Sequence, residues 1–486
     1  MTDFTPAYPD GLPVGDEWVT APSTRDVCFP FDGSVVAGAP VGDAALARRA
    51  LDESVAVRDQ VGRLPSHVRR GALQSVHRTI SEHREDFERL LVAETGKPLV
   101  DCRVEVARTL LTLETAAEEV ARLHGETVPL DLLPSGEGLL GFWVRKPIGV
   151  VVGIAGFNYP LLLAAHKIAP SLAAGCPVVA KPAPQTPLAT LWLVHLVREA
   201  LVAAGGPAAA VQLVTGGTEV GVTLTTDPRV GAVSFTGSAA VGHQIARDAA
   251  PTKTLLELGS NAALVVAADA DLDAAADAVV RGGYAASGHA CISVQRVVVV
   301  ESAREAFLER LTARMGEVVV GDPRDAATRV SALIDEKSTA RVLQWVHEAV
   351  AAGARLVTGG TASDGVIDPT VLLDVPGVAA WDEEIFGPVV AVRSVPDLDA
   401  AITTVNDSRY GLHASVFTAS LETAFDAVDR IETGGVIVNE VPGFRSDVMP
   451  YGGVKDSGTG REGPRFAIEE LTVTRMAVIR PTTRKD

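Results

Sequence analysis

Cysteine is scarce in this chain: 486 residues hold four, Cys28, Cys102, Cys176 and Cys291. They are widely scattered with no Cys-x-x-Cys pair, which excludes a disulfide framework and a thiolate zinc site and suits a reducing compartment. The ten histidines include no His-Glu-x-x-His spacing, so no metal is expected. Positive charge is also short: 43 Lys and Arg face 61 Asp and Glu, a formal charge of -18 with no Lys/Arg-rich block. That argues against nucleic acid or an anionic membrane surface as a partner. No apolar run reaches the ~20 residues needed to span a bilayer, and the opening Met1-Thr2-Asp3-Phe4-Thr5 is acidic and polar rather than a signal peptide. The expectation is a soluble, cytoplasmic protein.

What is present is ordinary globular material, 47% hydrophobic and 21% charged, in a chain too long for one core. Residues 1 to about 40 are Pro- and Gly-rich and read as surface arms and short strands. From Asp43 to about Leu123 the pattern predicts three amphipathic helices, one of them Arg69 to Val92 stopped by Gly96-Lys97-Pro98. Glu126 to Trp143, broken by Pro134-Ser135-Gly136, reads as a hairpin with an exposed edge strand, the kind that pairs with another chain.

From Pro147 to Glu257 short apolar strands (Ile148–Ile154, Pro177–Lys181, Ala210–Val214, Ala232–Phe235) alternate with helices near Leu161–Ala174, Pro187–Ala204, Val220–Thr225 and Ala240–Ala249. Such alternation implies βαβ units and a mostly parallel sheet covered on both faces. A second α/β block follows from Asn261 to about Asn439, and the tail ends in a helix near Pro464–Leu471 and a strand near Val473–Ile479.

Two stretches carry chemistry. Gly288-His289-Ala290-Cys291 lies between a helix pattern and the strand Val297–Val300, on the type of connection where a scaffold presents a reactive group. Taken alone, Cys291 reads as a buried, inert thiol. In Ser234-Phe235-Thr236-Gly237-Ser238 a strand ends, a turn follows and a helix begins, while Gly217 and Gly221 open the preceding helix. Phosphate at that helix N-terminus and a helix merely capped by Ser238 are equally open readings. The literal Gly-x-Gly-x-x-Gly run at Gly458–Gly463 follows no apolar strand and is not a nucleotide loop.

Seven motifs then occur in order: Phe157-Asn158-Tyr159-Pro160, Lys181-Pro182-Ala183-Pro184, Phe235-Thr236-Gly237-Ser238, Glu257-Leu258-Gly259-Ser260-Asn261, Gly288-His289-Ala290-Cys291, Glu383-Glu384-Ile385-Phe386-Gly387-Pro388 and Pro450-Tyr451-Gly452-Gly453-Val454-Lys455. Together they resemble the signature of the NAD(P)-dependent aldehyde dehydrogenase superfamily. The resemblance implies an α/β fold with a Rossmann-type cofactor domain (1–125 and 147–257), an α/β catalytic domain (258–450) and a small β oligomerisation arm (126–146 and 465–486). It implies a small-molecule aldehyde as substrate, NAD or NADP as cofactor, and a homodimer or homotetramer.

By the same resemblance Cys291 is the nucleophile, Asn158 an oxyanion donor with Lys167 behind it, and Glu257 the base that activates water. Lys181 would hold the adenosine ribose, Ser238 the pyrophosphate and Glu384 the nicotinamide ribose, with Phe386 beside the ring. Where many NAD-preferring members carry Glu, this chain has Pro184, which leaves NADP open. His289 stands in place of a usual Gln, as a thiolate-tuning group or a plain loop residue.

The segment Asn439 to Tyr451 resembles the branch of lactaldehyde, phosphonoacetaldehyde and non-phosphorylating glyceraldehyde-3-phosphate dehydrogenases. Arg108 matches that branch's anion-binding arginine, whereas Ala290 and Tyr159 replace two further anion contacts. Tyr159, Phe444 and Tyr451 would wall the pocket, with Arg108 and Arg445 left for a carboxylate or hydroxyl, or else tied up in salt bridges. The reaction implied is aldehyde oxidation to acid through a cysteine thioester; a CoA-acylating semialdehyde dehydrogenase and a non-catalytic scaffold are the alternatives.

Overall fold

The computed structural model describes residues 8–481. The opening Met1–Thr5 and the end of the arm, 482–486, lie outside the described residues. Among the described residues no helix is long and apolar enough to cross a membrane.

Strands buried on both faces need continuous apolar runs rather than alternation, and two sheets are built from such runs. The first has six strands in the spatial order Gly458–Thr459, Lys253–Glu257, Val230–Thr236, Val150–Ile154, Val178–Lys181, Val211–Leu213. All neighbours are parallel except the pair of Gly458–Thr459 with Lys253–Glu257. Chain order reverses beside Val150–Ile154, whose neighbours are Val178–Lys181 on one side and Val230–Thr236 on the other. Such a reversal opens a crevice beyond the carboxyl ends of the strands. The strand ends there deliver Asn158, Thr236, Lys181 and Glu257 towards one region.

The second sheet has seven strands: Arg355–Thr358, Thr370–Leu373, Val389–Val395, Arg296–Val300, Ala263–Val266, His413–Phe417, Gly435–Val438. Its two faces pack separate apolar layers, one around Trp381 and Val346, the other around Phe307 and Val279. A third, three-stranded sheet joins Glu126–Val128, Leu140–Pro147 and Thr472–Ile479, with Glu126 opposite Trp143 and Ile479 opposite Leu140. The hairpin expected from the sequence is therefore present, and the last strand extends it. Leu132, Leu140, Val478 and Ile479 on this sheet and its connecting loop are exposed.

The first helical block contains four helices rather than three: Ala44–Gly62, Ser66–Glu82, Arg84–Thr95 and Leu99–Glu119. The stretch expected as one helix from Arg69 to Val92 breaks at His83, whose backbone (φ -105, ψ 22) leaves the helical region while the apolar pattern runs on through it. Buried carboxylates from this block reach across to cap other helices. Glu105 accepts from the N–H groups of Leu161 and Leu162 at 3.0 and 3.1 Å, and Glu94 from those of Leu188 and Ala189 at 2.8 and 3.1 Å. These caps satisfy amides that a buried helix start would otherwise leave orphaned.

Two glycines test this packing from opposite sides. At Gly458 (φ +137) a Cβ would stand 1.9 Å from the Leu256 carbonyl oxygen, on the strand that carries Glu257. Gly458→Ala should cost about 3 kcal/mol and lower the melting temperature by several degrees. At Gly71, exposed in the middle of Ser66–Glu82, a Cβ meets nothing. Gly71→Ala should add up to about 1 kcal/mol and raise the melting temperature in the same scan.

Candidate active site

A cavity of about 710 Å³ lies in the crevice and runs to the Cys291 loop. Of the residues singled out from the sequence, it brings together Cys291, Glu257, Asn158, Tyr159, Thr236, Gly237, Ser238, Glu384, Phe386, Arg108, Phe444, Arg445 and Tyr451 in its wall. Lys167, Lys181, Gly217, Gly221 and Phe235 do not line it.

The Cys291 loop is held by close backbone contact. Ala286 and Ser287 take left-handed conformations, and at Gly288 (φ +79) a Cβ would stand 2.1 Å from the Gly387 carbonyl oxygen. Only glycine fits there. Phe386 is itself left-handed (φ 49), a strained conformation for an aromatic residue and one found at ligand clamps. Its ring lies 5.3 Å from His289 and 5.8 Å from Phe157. His289 is buried in this aromatic cluster, and burial pushes its pKa down to about 3, so it is neutral and carries no charge to tune the thiol. Its backbone is what serves the site, because the His289 carbonyl oxygen accepts from the Asn158 Nδ2 at 2.9 Å. One N–H of that amide is thereby fixed and the other is left to the cavity. The Cys291 backbone N–H makes no hydrogen bond among the described residues. Two N–H donors thus stand at the Cys291 loop without a partner among the described residues.

Burial raises the Cys291 thiol to about 11, with Glu384 and Glu257 adding to the rise, while the Tyr451 hydroxyl, 3.1 Å from Sγ, and Arg445 oppose it. Glu257 is buried with its Oε2 unpartnered. Burial and the nearby Glu462 carboxylate hold its pKa well above the usual range, against the pull of Arg445, Lys167 and Arg461. Glu462 goes the other way. Burial alone would raise it, but Lys167 with His166 and Arg445 hold it well below the usual range. Environments that drive two neighbouring carboxyls apart are how acid and base roles are divided.

The partners of Glu462 were not legible in the sequence. Lys167 Nζ donates to its Oε1 at 2.8 Å, His166 Nδ1 lies 3.1 Å from Oε2, and Arg445 donates at 3.2 Å. Lys167 is not the amine on Asn158. That place belongs to Lys97, which donates to the Asn158 carbonyl at 2.9 Å, pairs with buried Glu105 and sits 3.7 Å over the Tyr159 ring. In the sequence Lys97 reads only as part of a helix stop. Arg108 is bidentate on buried Asp447 at 2.9 and 3.0 Å, and Arg445 and His166 converge on the same carboxylate. Both arginines therefore make ion pairs, and these are buried rather than superficial. Their Nη1 groups make no hydrogen bond among the described residues, while both side chains line the cavity.

The residues that the resemblance assigns to the cofactor lie partly in the wall of this cavity and partly behind it. The helix Ala239–Ala249 begins at the cavity, and the Ser238 hydroxyl makes no capping bond to it. Thr236 Oγ1 is buried without a partner. Lys181 is nearly buried at the end of its strand and makes no ion pair among the described residues; burial lowers it to about 8. Its Cε lies 3.7 Å from where a Gly221 Cβ would be, beside the helix Thr218–Thr225, which Gly217 opens. Phe235 is a core residue whose ring would collide with a Cβ at Gly237. Glu384 accepts from the Ser260 N–H at 3.0 Å and fills the space a Gly259 Cβ would take; burial raises it to about 7. An unpaired ammonium, a free helix start and orphaned hydroxyls in one crevice suit a dinucleotide with its phosphates and ribose hydroxyls.

The chain matches the model of the aldehyde dehydrogenase family over residues 18–477. It is 39% identical over 482 residues to a 3-sulfolactaldehyde dehydrogenase of Priestia aryabhattai, covering 99% of this chain and 100% of the relative. Among solved structures it resembles aldehyde dehydrogenase 21 from Physcomitrella patens in complex with the reaction product succinate (TM-score 0.94, 35% identity, 99% of this chain and 100% of that one). It also resembles glyceraldehyde-3-phosphate dehydrogenase GapN from Methanocaldococcus jannaschii complexed with NADP (TM-score 0.91, 32% identity, 95% and 100%). Fold, cavity and likeness agree: the chain belongs to the aldehyde dehydrogenase family, NAD(P)-dependent enzymes that oxidise an aldehyde to a carboxylic acid.

Proposed function

We propose that this enzyme oxidises a short aldehyde bearing an acidic group, with Cys291 as nucleophile and Glu257 as the base that releases the acid. The observation behind the roles is the cavity itself, where an accessible sulfur, an unpartnered buried carboxylate and two free N–H donors meet. The Cys291 thiolate attacks the carbonyl carbon, and the oxygen that becomes anionic is received by Asn158 Nδ2 and the Cys291 N–H. Lys181, Thr236, Ser238 and Glu384 would hold NAD(P), which when bound would supply the hydride acceptor for the step from adduct to thioester. Glu257 then takes a proton from water, because a carboxylate with a raised pKa is the stronger base. Glu462, clamped by Lys167 and His166, stays ionised beside it and makes protonated Glu257 the favourable product of that step. A CoA-acylating reaction has no need of such a base.

The acidic group is argued from charge. Arg108 and Arg445 each leave donors uncommitted at the cavity wall, although Asp447 and Glu462 hold their other edges. Three similar proteins carry sulfolactaldehyde, succinate and glyceraldehyde-3-phosphate in their descriptions, all anions. Tyr159, Phe444 and Tyr451 supply the apolar wall. Pro184 places no carboxylate against a 2′-phosphate, which favours use of NADP as well as NAD.

The cofactor domain is assigned to 1–125 and 147–257, the catalytic domain to 258–450 and the arm to 126–146 and 465–486. The arm's exposed apolar residues and open sheet edge support a homodimer or homotetramer. Four free thiols support residence in the reducing cytoplasm.

Cys291→Ala should abolish oxidation while NAD(P)+ still binds; retained turnover would remove the nucleophile assignment. Glu257→Gln should release reduced cofactor in one burst per site and then turn over about 100-fold more slowly as thioester accumulates, read by mass spectrometry. Undiminished turnover, or strict dependence on CoA, would defeat the hydrolytic reading. Arg108→Leu should lower kcat/KM about 100-fold for succinic semialdehyde and less than about tenfold for butanal. Equal losses on both would mean that the arginine serves the fold alone. Light scattering should give at least a dimer, and a monomer would dismiss the interface role of the arm.

A further inference from the structure

We propose that the Tyr451 hydroxyl is a catalytic group that donates a hydrogen bond to the Cys291 sulfur whenever that sulfur is anionic, before attack and again as it leaves the thioester. The proposal rests on Cys291 as the nucleophile and gives Tyr451 a part beyond that of an aromatic wall.

The phenol oxygen stands 3.1 Å from Sγ, and it is the one hydrogen-bonding partner of that sulfur among the described residues. It has little freedom to leave. Tyr451 is 2% exposed. Its backbone pairs with Glu462 in both directions, N–H to O at 3.1 and 2.7 Å. The Arg445 guanidinium lies 3.7 Å over one face of the ring, and His413, itself fixed on the Pro442 carbonyl at 2.9 Å, meets the ring edge-on at 5.0 Å.

The other ionisable groups around the sulfur divide by sign. Glu257 and Glu384 oppose a thiolate, Arg445 favours it, and Tyr159 is an uncharged phenol. Burial, with the adjacent thiol, keeps the Tyr451 phenol protonated throughout the working range. It is therefore a donor once the sulfur ionises. A hydrogen bond to an ion is about twice as strong as one to a neutral group, so the contact favours thiolate over thiol by about tenfold in the ionisation constant.

Protons and electron pairs balance at each step. The thiol proton departs to water or to the Glu257 carboxylate, and the Tyr451 proton stays on its oxygen. On attack a sulfur lone pair forms the S–C bond as the carbonyl π pair moves to oxygen. In acid release the C–S bond breaks, its pair returns to sulfur, and the phenol meets the charge again. Stabilising a thiolate also blunts it: a tenfold gain in its fraction is offset by about a threefold loss in reactivity, leaving about a threefold gain in rate below the thiol pKa.

That trade-off distinguishes catalysis from packing. Tyr451→Phe removes one oxygen; the thiolate absorbance is titrated against Cys291→Ala in each background, and iodoacetamide alkylation of Cys291 is timed across pH. The ionisation midpoint should rise by about one unit, and alkylation near neutral pH should fall about threefold, the deficit narrowing as pH approaches the wild-type midpoint. Replacing Tyr451 by 3-fluorotyrosine, a more acidic phenol of nearly the same size, should move the midpoint down. An unmoved midpoint in both variants, or slowing by the same factor at every pH, would overturn the proposal. Retained turnover in Cys291→Ala would instead overturn the nucleophile itself.

Discussion

A carboxylate buried with no partner for one of its oxygens is the constraint around which this protein is arranged. Removing an ionised carboxylate from water costs several kcal/mol, and a hydrogen bond to a charged group returns about 1.5–3. Three carboxylates, Glu257, Asp447 and Glu462, stand in or behind the same cavity and compete for cations. Asp447 receives Arg108 in a two-pronged contact together with His166, and burial fails to raise it against them. Glu462 receives Lys167 and His166. Glu257 is left over, and burial together with the charge on Glu462 holds it well above the usual range despite the pull of Arg445 and Lys167.

The scaffold serves that distribution. The pair of Gly458–Thr459 with Lys253–Glu257 puts the loop bearing Glu462 alongside the strand bearing Glu257. The helix Pro160–Ala174 brings His166 and Lys167 under the cavity, and Glu105 from another helix caps its start while Lys97 steadies the Asn158 carbonyl. Asn158, just before the start of this helix, and the contacts to Glu462, at its middle, are thus anchored to the same element.

The apolar strands and the helices between them were legible because a strand covered on both faces is a near-continuous apolar run, as in Val150–Ile154 and the valines of Arg296–Val300. In the first sheet and the helices between its strands the boundaries fall within a residue or two of expectation. Val389–Val395, in contrast, runs three residues further than its apolar core, and the first helical block breaks at His83, where nothing in the apolar spacing marks it. Most of the residues that line the cavity stood out through ordered motifs. Their pairings did not, since Lys167 and Glu462 are 295 residues apart and Arg108 and Asp447 are 339 apart. No periodicity spans such distances. Glu462 lay in a glycine run recognisable only as failing to bind a nucleotide, and Lys97 in a helix terminus. His289, noticed for its ring, contributes its carbonyl oxygen.

The loop bearing Cys291 rests directly on the backbone of a second loop, with Gly288 against the Gly387 carbonyl and Phe386 beside it in a left-handed conformation. The close approach at Gly288 ties the path of each segment to that of the other. Anyone grafting specificity from a relative into this enzyme must exchange the two as one cassette, because a transplant of the cysteine segment alone would arrive without the mould that gives it form.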